Sequence, residues 1–155
     1  MTPLDRIDFE ILAALQKDGR LSNKELAASV GLAPSSALER TRRLREAGVL
    51  GAVTARIDPA AVGIGLQALI AIRLARHARE VSMAFRAYIA ALPEVIAVYH
   101  VSGIDDFLIH VAVRDSEHLR DLVLDAISSR AEVGRHQTNL IFDVTHSPLP
   151  IYRAG

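Results

Sequence analysis

The chain has 155 residues with 18 basic and 18 acidic side chains, and half of its residues are hydrophobic. A chain of this length forms one ordinary domain or two small ones, with a core that removes about two-thirds of the unfolded surface from water. This composition excludes an intrinsically disordered chain and a uniformly basic nucleic-acid coat. Because cysteine is absent, disulfides, thiolate metal sites and cysteine nucleophiles are excluded as well.

The first residues lack the basic and then apolar pattern of a secretory signal, and the longest uncharged run is residues 59–72. A helix that spans a membrane needs about 20 apolar residues, which is more than this run provides. The sequence therefore predicts a soluble, cytoplasmic protein without a membrane partner.

Residues 4–50 have the periodicity of three successive helices, because apolar residues recur every three or four positions. Ser22 and Glu25 have the spacing of a capping box at the start of the second helix. Pro34 suits the first position of the third helix, where its missing amide costs nothing. We expect a helix-turn-helix whose third helix enters the major groove of DNA.

The third helix, residues 35–46, carries four arginines within six residues. A helical wheel directs four side chains toward the core: Ala37, Leu38, Thr41 and Leu44. The side chains expected to contact double-stranded DNA are Ser35, Ser36, Glu39, Arg40, Arg42 and Arg43. Arginine pairs with guanine or phosphate, and glutamate accepts from cytosine. A merely solvated face is the alternative, but the turn before this helix exposes it and favours DNA contact.

After Gly48 the residues alternate, which predicts a short hairpin or strand over residues 49–57 that leads into a linker. From there the pattern predicts strand, helix, strand, strand, helix and strand over residues 66–74, 78–92, 95–102, 107–113, 116–129 and 136–145. This order is typical of the ferredoxin-like fold. We expect an α+β protein with a DNA-binding domain at residues 1–58 and a ferredoxin-like domain at residues 59–155.

The strand predicted at residues 107–113 is apolar on both faces, and the same is nearly true of residues 67–72. Two helices cover only one face of a four-stranded sheet, so the other face requires a partner surface. The same sheet of a second copy is the economical partner, which predicts a homo-oligomer. A dimer presents two third helices, so we expect a palindromic DNA operator.

Several motifs resemble the Lrp/AsnC (leucine-responsive, feast/famine) family of transcriptional regulators. In chain order they are Leu4-Asp5-Arg6-Ile7-Asp8, residues 15–20, Gly31-Leu32-Ala33-Pro34, Leu38-Glu39-Arg40, and Val101-Ser102-Gly103 with Asp106. The resemblance extends over essentially the whole chain. It implies a winged-type helix-turn-helix joined by a strand linker to a ferredoxin-like regulatory domain that forms dimers and often octamers.

The resemblance also implies a small-molecule effector, usually an amino acid, bound at a subunit interface near the Val-Ser-Gly turn. The positions that correspond to this site are Ser102, Gly103, Ile104, Asp106 and Thr138. The chain departs from the family at Ala33, where a Ser or Thr cap is usual, and at Ile104, where an acidic residue or Asn is common. A purely structural turn explains Gly103 and Asp106 equally well, so that alternative stays open.

No catalytic residue, cofactor or metal site is predicted. His100 and His110 fall on adjacent predicted strands, but metal ligation needs three or four convergent donors. The sequence contains no phosphate-binding loop, dinucleotide fingerprint or Ser-His-Asp spacing. Two alternatives to a regulator stay open: a siroheme-decarboxylase-like enzyme on the same architecture, and a ligand-sensing oligomer that binds no DNA. The arginine-rich third helix favours the regulator.

Overall fold

The computed structural model describes residues 3–76 and 78–151. The chain divides into two compact units, the first formed by residues up to Ala55 together with those from Thr145 onward. The second unit is Arg56–Val144. Within the described residues, no helix is both long enough and apolar enough to cross a membrane.

The first unit contains three helices: α1 (Arg6–Lys17), α2 (Asn23–Ser29) and α3 (Pro34–Glu46). The predicted capping box at α2 is confirmed, since the Glu25 amide donates to the Ser22 hydroxyl and the Ser22 amide donates to the Glu25 carboxylate. Gly31 follows α2 with a φ of 68°, a conformation that glycine adopts without a Cβ clash. Pro34 is the first residue of α3, as predicted.

The core of the first unit joins all three helices. Ile11 from α1, Leu26 from α2 and Leu44 from α3 are almost completely buried and belong to one cluster. Ala37 and Thr41 are also buried, as the helical wheel predicts. Leu38 is 57% exposed, so its predicted place in the core is wrong. Residue 38 is one position beyond Ala37, which rotates it about 100° away from the buried stripe.

The segment that follows α3 also differs from the prediction. Residues 51–58 form no helix or strand, and all of them are exposed. A strand requires a neighbour that pairs with its amides and carbonyls, and alternation of side chains alone does not supply one. The expected hairpin or strand over residues 49–57 is therefore absent from this single chain.

The C-terminal segment belongs with the first unit, whereas the sequence analysis placed it in the second domain. Leu149, Pro150 and Ile151 lie along an apolar groove that includes Leu12 and Leu15 of α1. The Gln16 side-chain amide donates to the Leu149 carbonyl at 3.1 Å. Residues 149–151 thus lie along α1, and residues 152–155 lie outside the described part of the chain.

The second unit has the predicted order of strands and helices. Its elements are β1 (Leu66–Leu74), α4 (Arg79–Ala90), β2 (Val95–His100), β3 (Phe107–Val113), α5 (Ser116–Leu122) with a π-helical continuation over Val123–Ser128, and β4 (Val133–Ile141). The strands form one antiparallel sheet in the order β2-β3-β1-β4. This topology is the expected ferredoxin-like arrangement.

The two faces of this sheet differ in burial. Alternate residues of β1 and β3, such as Ile70, Ile72 and Ile109, pack with Phe85 and Ile89 of α4 in a fully buried core. On the opposite face, β1 and β3 present Leu69, Ala71, Leu108 and Ala112 without a covering helix. The predicted helix-covered face is present, and the open face is apolar at these four positions but also carries Gln67, His110, Gln137 and Asn139.

β4 begins and ends earlier than the predicted residues 136–145. Its first pair is Val133 with Leu74, reached through a bulge next to Arg73. Its last residue, Ile141, pairs with Gln67 near the beginning of β1, so the partner strand ends there. The range of β4 is therefore decided by the length of β1.

Candidate functional site

A buried carboxylate joins α1 to α3. Asp8 is completely buried and accepts hydrogen bonds from Arg40 Nη1 at 2.9 Å and from Arg43 Nη2 at 2.7 Å. Asp5, the N-cap of α1, accepts from Arg40 Nη1 at 2.6 Å. The two acids also form a capping box, because each accepts the backbone amide of the other. Two of the four arginines of α3 are therefore engaged within the protein.

Charge and hydrogen bonds reinforce each other in this cluster. The pKa of the Asp5 carboxyl lies below its ordinary value, chiefly because the Asp8 amide donates to it and then because the Arg40 guanidinium does. The pKa of Arg40 is raised by its hydrogen bonds to Asp5 and Asp8. Both effects favour the charged forms, so the ion pairs persist at neutral pH.

Arg40 and Arg43, which bind Asp8, form one flank of α3, called here the held flank. The outward surface of α3 carries different side chains. Ser35, Glu39 and Arg42 lie opposite the buried stripe of Ala37, Thr41 and Leu44 and are exposed. Arg42 has 72% of its side chain exposed, and its nearest acidic partner is Glu46 at 3.6 Å. Such a weak surface pair leaves the guanidinium available to another anion.

Ser36 lies beside the flank formed by Arg40 and Arg43 and is half-buried. A shallow groove next to Leu32 is lined by residues of both surfaces of α3: Ser36, Glu39, Arg40, Arg42, Arg43 and Glu46. Arg43 keeps 48% of its side chain exposed while it binds Asp8, whereas Arg40 keeps 28%. All six predicted contact residues thus belong to one helix, but they divide between an outward surface and a flank tied to α1.

The sequence analysis missed the acids that hold this flank. The spacing of Asp5 and Asp8 is that of a capping box, so a local signal for the cap was present. Their pairing with Arg40 and Arg43 joins residues 32 to 35 positions apart, and no local pattern indicates it.

The candidate effector loop connects β2 to β3 and is tied to the end of β1. The Asp106 amide donates to the Ile72 carbonyl at 2.8 Å, and the Leu74 amide donates to the Asp106 carboxylate at 2.8 Å. The Val101 amide donates to the Asp106 carbonyl at 3.0 Å. Gly103 has a φ of 132°, which side-chain-bearing residues rarely adopt. These contacts fix the course of the loop.

The structure brings together four of the five predicted effector residues. Ser102, Gly103, Ile104 and Asp106 share this loop, and Ile104 is 72% exposed at its tip. Thr138 instead lies on β4, paired with Ile70 of β1. Because β1 separates β3 from β4 in the sheet, Thr138 is not part of the loop cluster within one chain.

The two histidines considered as metal ligands lie on opposite faces of the sheet. His100 stacks on Phe107, with ring centroids 4.9 Å apart, on the helix-covered face. His110 bonds the Gln67 side chain at 2.8 Å on the open face. The adjacent strands do not bring the two rings together, because His100 pairs with Phe107 of β3, whereas His110 lies three positions further along β3 and points to the other face.

Comparison with protein families agrees with the two units. A family model described as Lrp/AsnC ligand binding domain matches residues 67–148. A second model, described as winged helix-turn-helix DNA-binding, matches residues 4–50. Together they include α1, α2 and α3 and all of the ferredoxin-like sheet except Leu66, the first residue of β1.

Known regulators are similar to the chain over nearly its full length. The HTH-type transcriptional regulator AldR of Mycolicibacterium smegmatis is 45% identical over 148 residues, 96% of this chain and 86% of AldR. The leucine-responsive regulatory protein of Escherichia coli K12 is 36% identical over 140 residues, 90% of this chain and 85% of that protein.

A solved structure is similar as well: a transcriptional regulator from Neisseria meningitidis in complex with L-Met has a TM-score of 0.87 and 34% identity, covering 95% of this chain and 96% of that chain. These matches extend over both units of the chain. The chain belongs to the Lrp/AsnC family of transcriptional regulators.

Proposed function

We propose that this regulator binds a palindromic operator through α3 of two copies and changes its assembly or DNA affinity when an amino acid binds the loop between β2 and β3. The observation that carries the DNA-binding part is the outward surface of α3. Ser35, Glu39 and Arg42 are exposed there, on the helix that follows the turn of a helix-turn-helix. Such a surface fits the major groove.

The held flank of α3 has a different role in this proposal. Asp8 fixes the directions of Arg40 and Arg43, which orients α3 on α1. Arg43 remains half exposed and can still approach a phosphate, whereas Arg42 is placed to reach base edges. We therefore assign base contacts to Ser35, Glu39 and Arg42, and phosphate or positioning roles to Ser36, Arg40 and Arg43.

The open face of the sheet is the surface proposed to join copies. Leu69 and Leu108 lie at its centre beside Ala71 and Ala112, Tyr99 of β2 extends the apolar area, and Gln67 and His110 bond each other on the same face. An uncovered apolar face of this kind favours burial against an equivalent face. The oligomer proposed is a dimer through this face, with an octamer as the larger assembly.

Replacing Leu108 with glutamate is expected to dissociate this oligomer, because association would bury the introduced charge without a partner. Light scattering of the full chain at micromolar concentration measures the effect. Leu124→Glu is the matched control, since Leu124 is 54% exposed on the π-helical segment away from this face. A Leu108→Glu protein of unchanged mass would contradict the proposed interface.

The effector proposal rests on the chemistry of the loop between β2 and β3. Free amino acids need an acceptor for the ammonium group and donors for the carboxylate. The Asp106 carboxylate, which accepts the Leu74 amide, is an acceptor of the kind that an ammonium group needs. The exposed Ile104 offers an apolar wall, which favours an apolar or aromatic ligand side chain. L-Met in the Neisseria relative supports this ligand class.

In this proposal, the effector site is complete only when a second copy of the chain contributes to it. Ser102 and Gly103 supply the turn of one copy, and Thr138 of β4 is contributed by its neighbour. Binding of the amino acid then favours one assembly of the chain over another. If the amino acid binds one assembly tenfold more tightly, the two binding free energies differ by about 1.4 kcal/mol.

Calorimetry with the twenty amino acids is expected to give binding for an apolar or aromatic one, and Asp106→Asn is expected to weaken it by tenfold or more. Asparagine keeps an acceptor for the Leu74 amide but lacks the charge that holds an ammonium group. Ser102→Ala is the conservative comparison within the same loop. Equal affinity in the parent and in Asp106→Asn would make the loop a purely structural turn.

Genomic immunoprecipitation with and without the bound amino acid tests the complete proposal, because it reports operator sites and effector response together. Palindromic sites whose occupancy changes with the amino acid would support the regulator, which we place in the cytoplasm.

The decarboxylase alternative requires a bound pigment, so a coloured purified protein that shifts no DNA would favour it. The relatives described above are transcriptional regulators, which favours the first outcome.

A further inference from the structure

One side chain of α2 ties the beginning of α3 to that helix. The side-chain amide of Asn23, the first residue of α2, donates to the carbonyl of Pro34, the first residue of α3, at 2.7 Å. Asn23 is half-buried, and it lies eleven residues before Pro34 in the chain. The hydrogen bond therefore spans the turn of the helix-turn-helix and joins the two helices at their first residues.

The beginning of α3 lacks a cap of its own. Ala33, which precedes α3 and is a position where the chain departs from its family, makes no capping hydrogen bond. Pro34 has no amide hydrogen to donate. Among the described residues, Asn23 is the only one whose side chain bonds the backbone of residues 33–36. Asn23 thus supplies an anchor that the first turn of α3 does not supply for itself.

The helix that carries Asn23 is a firm base for this anchor. The capping box of Ser22 and Glu25 fixes the backbone on both sides of Asn23, with hydrogen bonds of 2.8 Å and 3.3 Å. Leu26, three residues further along α2, is buried in the core together with Leu44 of α3. The Asn23 amide therefore starts from a backbone of fixed position.

The other polar ties of α3 lie far from its beginning. The held flank, which bonds Asp8 of α1, begins six residues after Pro34, and six residues span about 9 Å along a helix. A rotation of α3 about these ion pairs moves Ser35, the neighbour of Pro34, much more than it moves Arg42, which lies between the two arginines of the held flank. The hydrogen bond from Asn23 opposes that rotation.

We infer that Asn23 is a positioning residue for base reading: its hydrogen bond to Pro34 sets the angle of α3 on α2, and hence the distance between Ser35 and a base edge. This inference rests on the proposed binding of DNA by α3. A hydroxyl bonds an acceptor at about 2.5–3.0 Å, so a shift of about one ångström at Ser35 abolishes such a contact. Asn23 acts here through α3 and needs no contact with DNA.

Fluorescence anisotropy of the full chain tests the inference with two duplexes: the operator recovered by genomic immunoprecipitation and a scrambled duplex of the same composition. The readout is the ratio of the two affinities. Asn23→Ala is expected to weaken operator binding by about three- to tenfold, because one base contact is lost. Binding to the scrambled duplex is expected to stay unchanged, since phosphate contacts carry no sequence information.

Asn23→Asp is measured in parallel, so that the test does not depend on the folding of one variant. Its carboxylate cannot donate to Pro34, whereas an acid at the beginning of a helix favours the helix dipole and does not weaken α2. The added negative charge lowers both affinities alike, so the ratio is expected to fall as it does in Asn23→Ala. Circular dichroism of each variant verifies that it is folded.

Ser29→Ala is the matched control. Ser29 also lies on α2, and its hydroxyl donates to the Leu26 carbonyl at 2.8 Å. This variant removes a side-chain hydrogen bond to backbone from the same helix, but that bond does not reach α3. The ratio of operator to scrambled affinity is therefore expected to keep its parent value.

A double-mutant cycle identifies the side chain through which Asn23 acts. Ser35→Ala is expected to weaken operator binding less in the Asn23→Ala background than in the parent, because the contact is already lost. Arg42→Ala is expected to weaken it equally in both backgrounds, since Arg42 lies near the held flank and moves little.

Three results would overturn the inference: an unchanged ratio in both folded Asn23 variants, an equal fall of the ratio in Ser29→Ala, and additive effects of Asn23→Ala and Ser35→Ala. If Arg42→Ala lowers the ratio while the Asn23 variants do not, the inference alone fails. If joint replacement of Arg42 and Arg43 changes binding to neither duplex, the proposed role of α3 fails and the inference fails with it.

Discussion

Replacing Asp8 with asparagine is expected to lower the free energy of unfolding of the first unit by about 2–4 kcal/mol. Asp8 is fully buried and accepts from Arg40, from Arg43 and from the Asp5 amide. Asparagine has nearly the same shape but lacks the negative charge, and its amide nitrogen faces guanidinium donors. Urea unfolding followed by circular dichroism measures the change.

The control for this prediction is Glu10→Gln, which removes a carboxylate of α1 that pairs with Arg6 on the surface. An exposed i,i+4 pair contributes about 0.3–0.5 kcal/mol, so this variant is expected to remain close to the parent. A double-mutant cycle provides a further test. Arg43→Ala is expected to lower the free energy of unfolding less in the Asp8→Asn background than in the parent. Additive losses, or an Asp8→Asn protein as stable as Glu10→Gln, would contradict the role of Asp8.

Replacing Arg42 with alanine is expected to weaken binding to the operator by about 1–3 kcal/mol, which is roughly 5- to 150-fold. Arg42 is exposed on the outward surface of α3, where it makes a long contact of 3.6 Å with Glu46. If its guanidinium meets a base edge, binding to random DNA is expected to change little. Fluorescence anisotropy with operator and scrambled duplexes separates the two cases.

Arg20→Ala is the control for Arg42→Ala, because Arg20 is an exposed arginine of the same unit that lies outside α3. Its loss is expected to change affinity for both duplexes equally and only slightly. A phosphate contact by Arg42 would instead lower both affinities alike and reduce the salt dependence by about one counterion. Unchanged binding after joint replacement of Arg42 and Arg43 would remove α3 from the DNA interface.

Elements that depend on neighbouring residues were predictable from the sequence. The capping box of Ser22 and Glu25 and the start of α3 at Pro34 require only residues within one turn. The order of strands and helices in the second unit follows from a change of period and from turn residues, and it is confirmed. Local chemistry therefore suffices for the fold class.

Features that join distant residues were not predictable in the same way. The expected strand over residues 49–57 does not form, because pairing depends on a neighbour and not on alternation. β4 begins at Val133 since the bulge at Arg73 extends its pairing with β1. Leu38 is apolar yet exposed, which apolarity and an approximate wheel do not reveal.

The candidate DNA surface was predictable as a helix but not as a set of free side chains. Four arginines on α3 are equivalent in the sequence, and only the placement of Asp8 on α1 separates Arg40 and Arg43 from Arg42. Similarly, the loop motif of Gly103 and Asp106 was visible, whereas the distance of Thr138 from it depends on sheet order.

The return of residues 145–151 to the first unit makes the second unit an insertion within it. The chain passes between the units twice, near residue 55 and near residue 144, so the DNA-binding unit is assembled from both ends of the sequence. A fragment that stops after α3 and its following segment would lack Leu149 and Ile151, which line the apolar groove beside Leu12 and Leu15. Joining residues 3–55 through a short linker to residues 145–151 would keep the whole lining of that groove in an isolated DNA-binding unit.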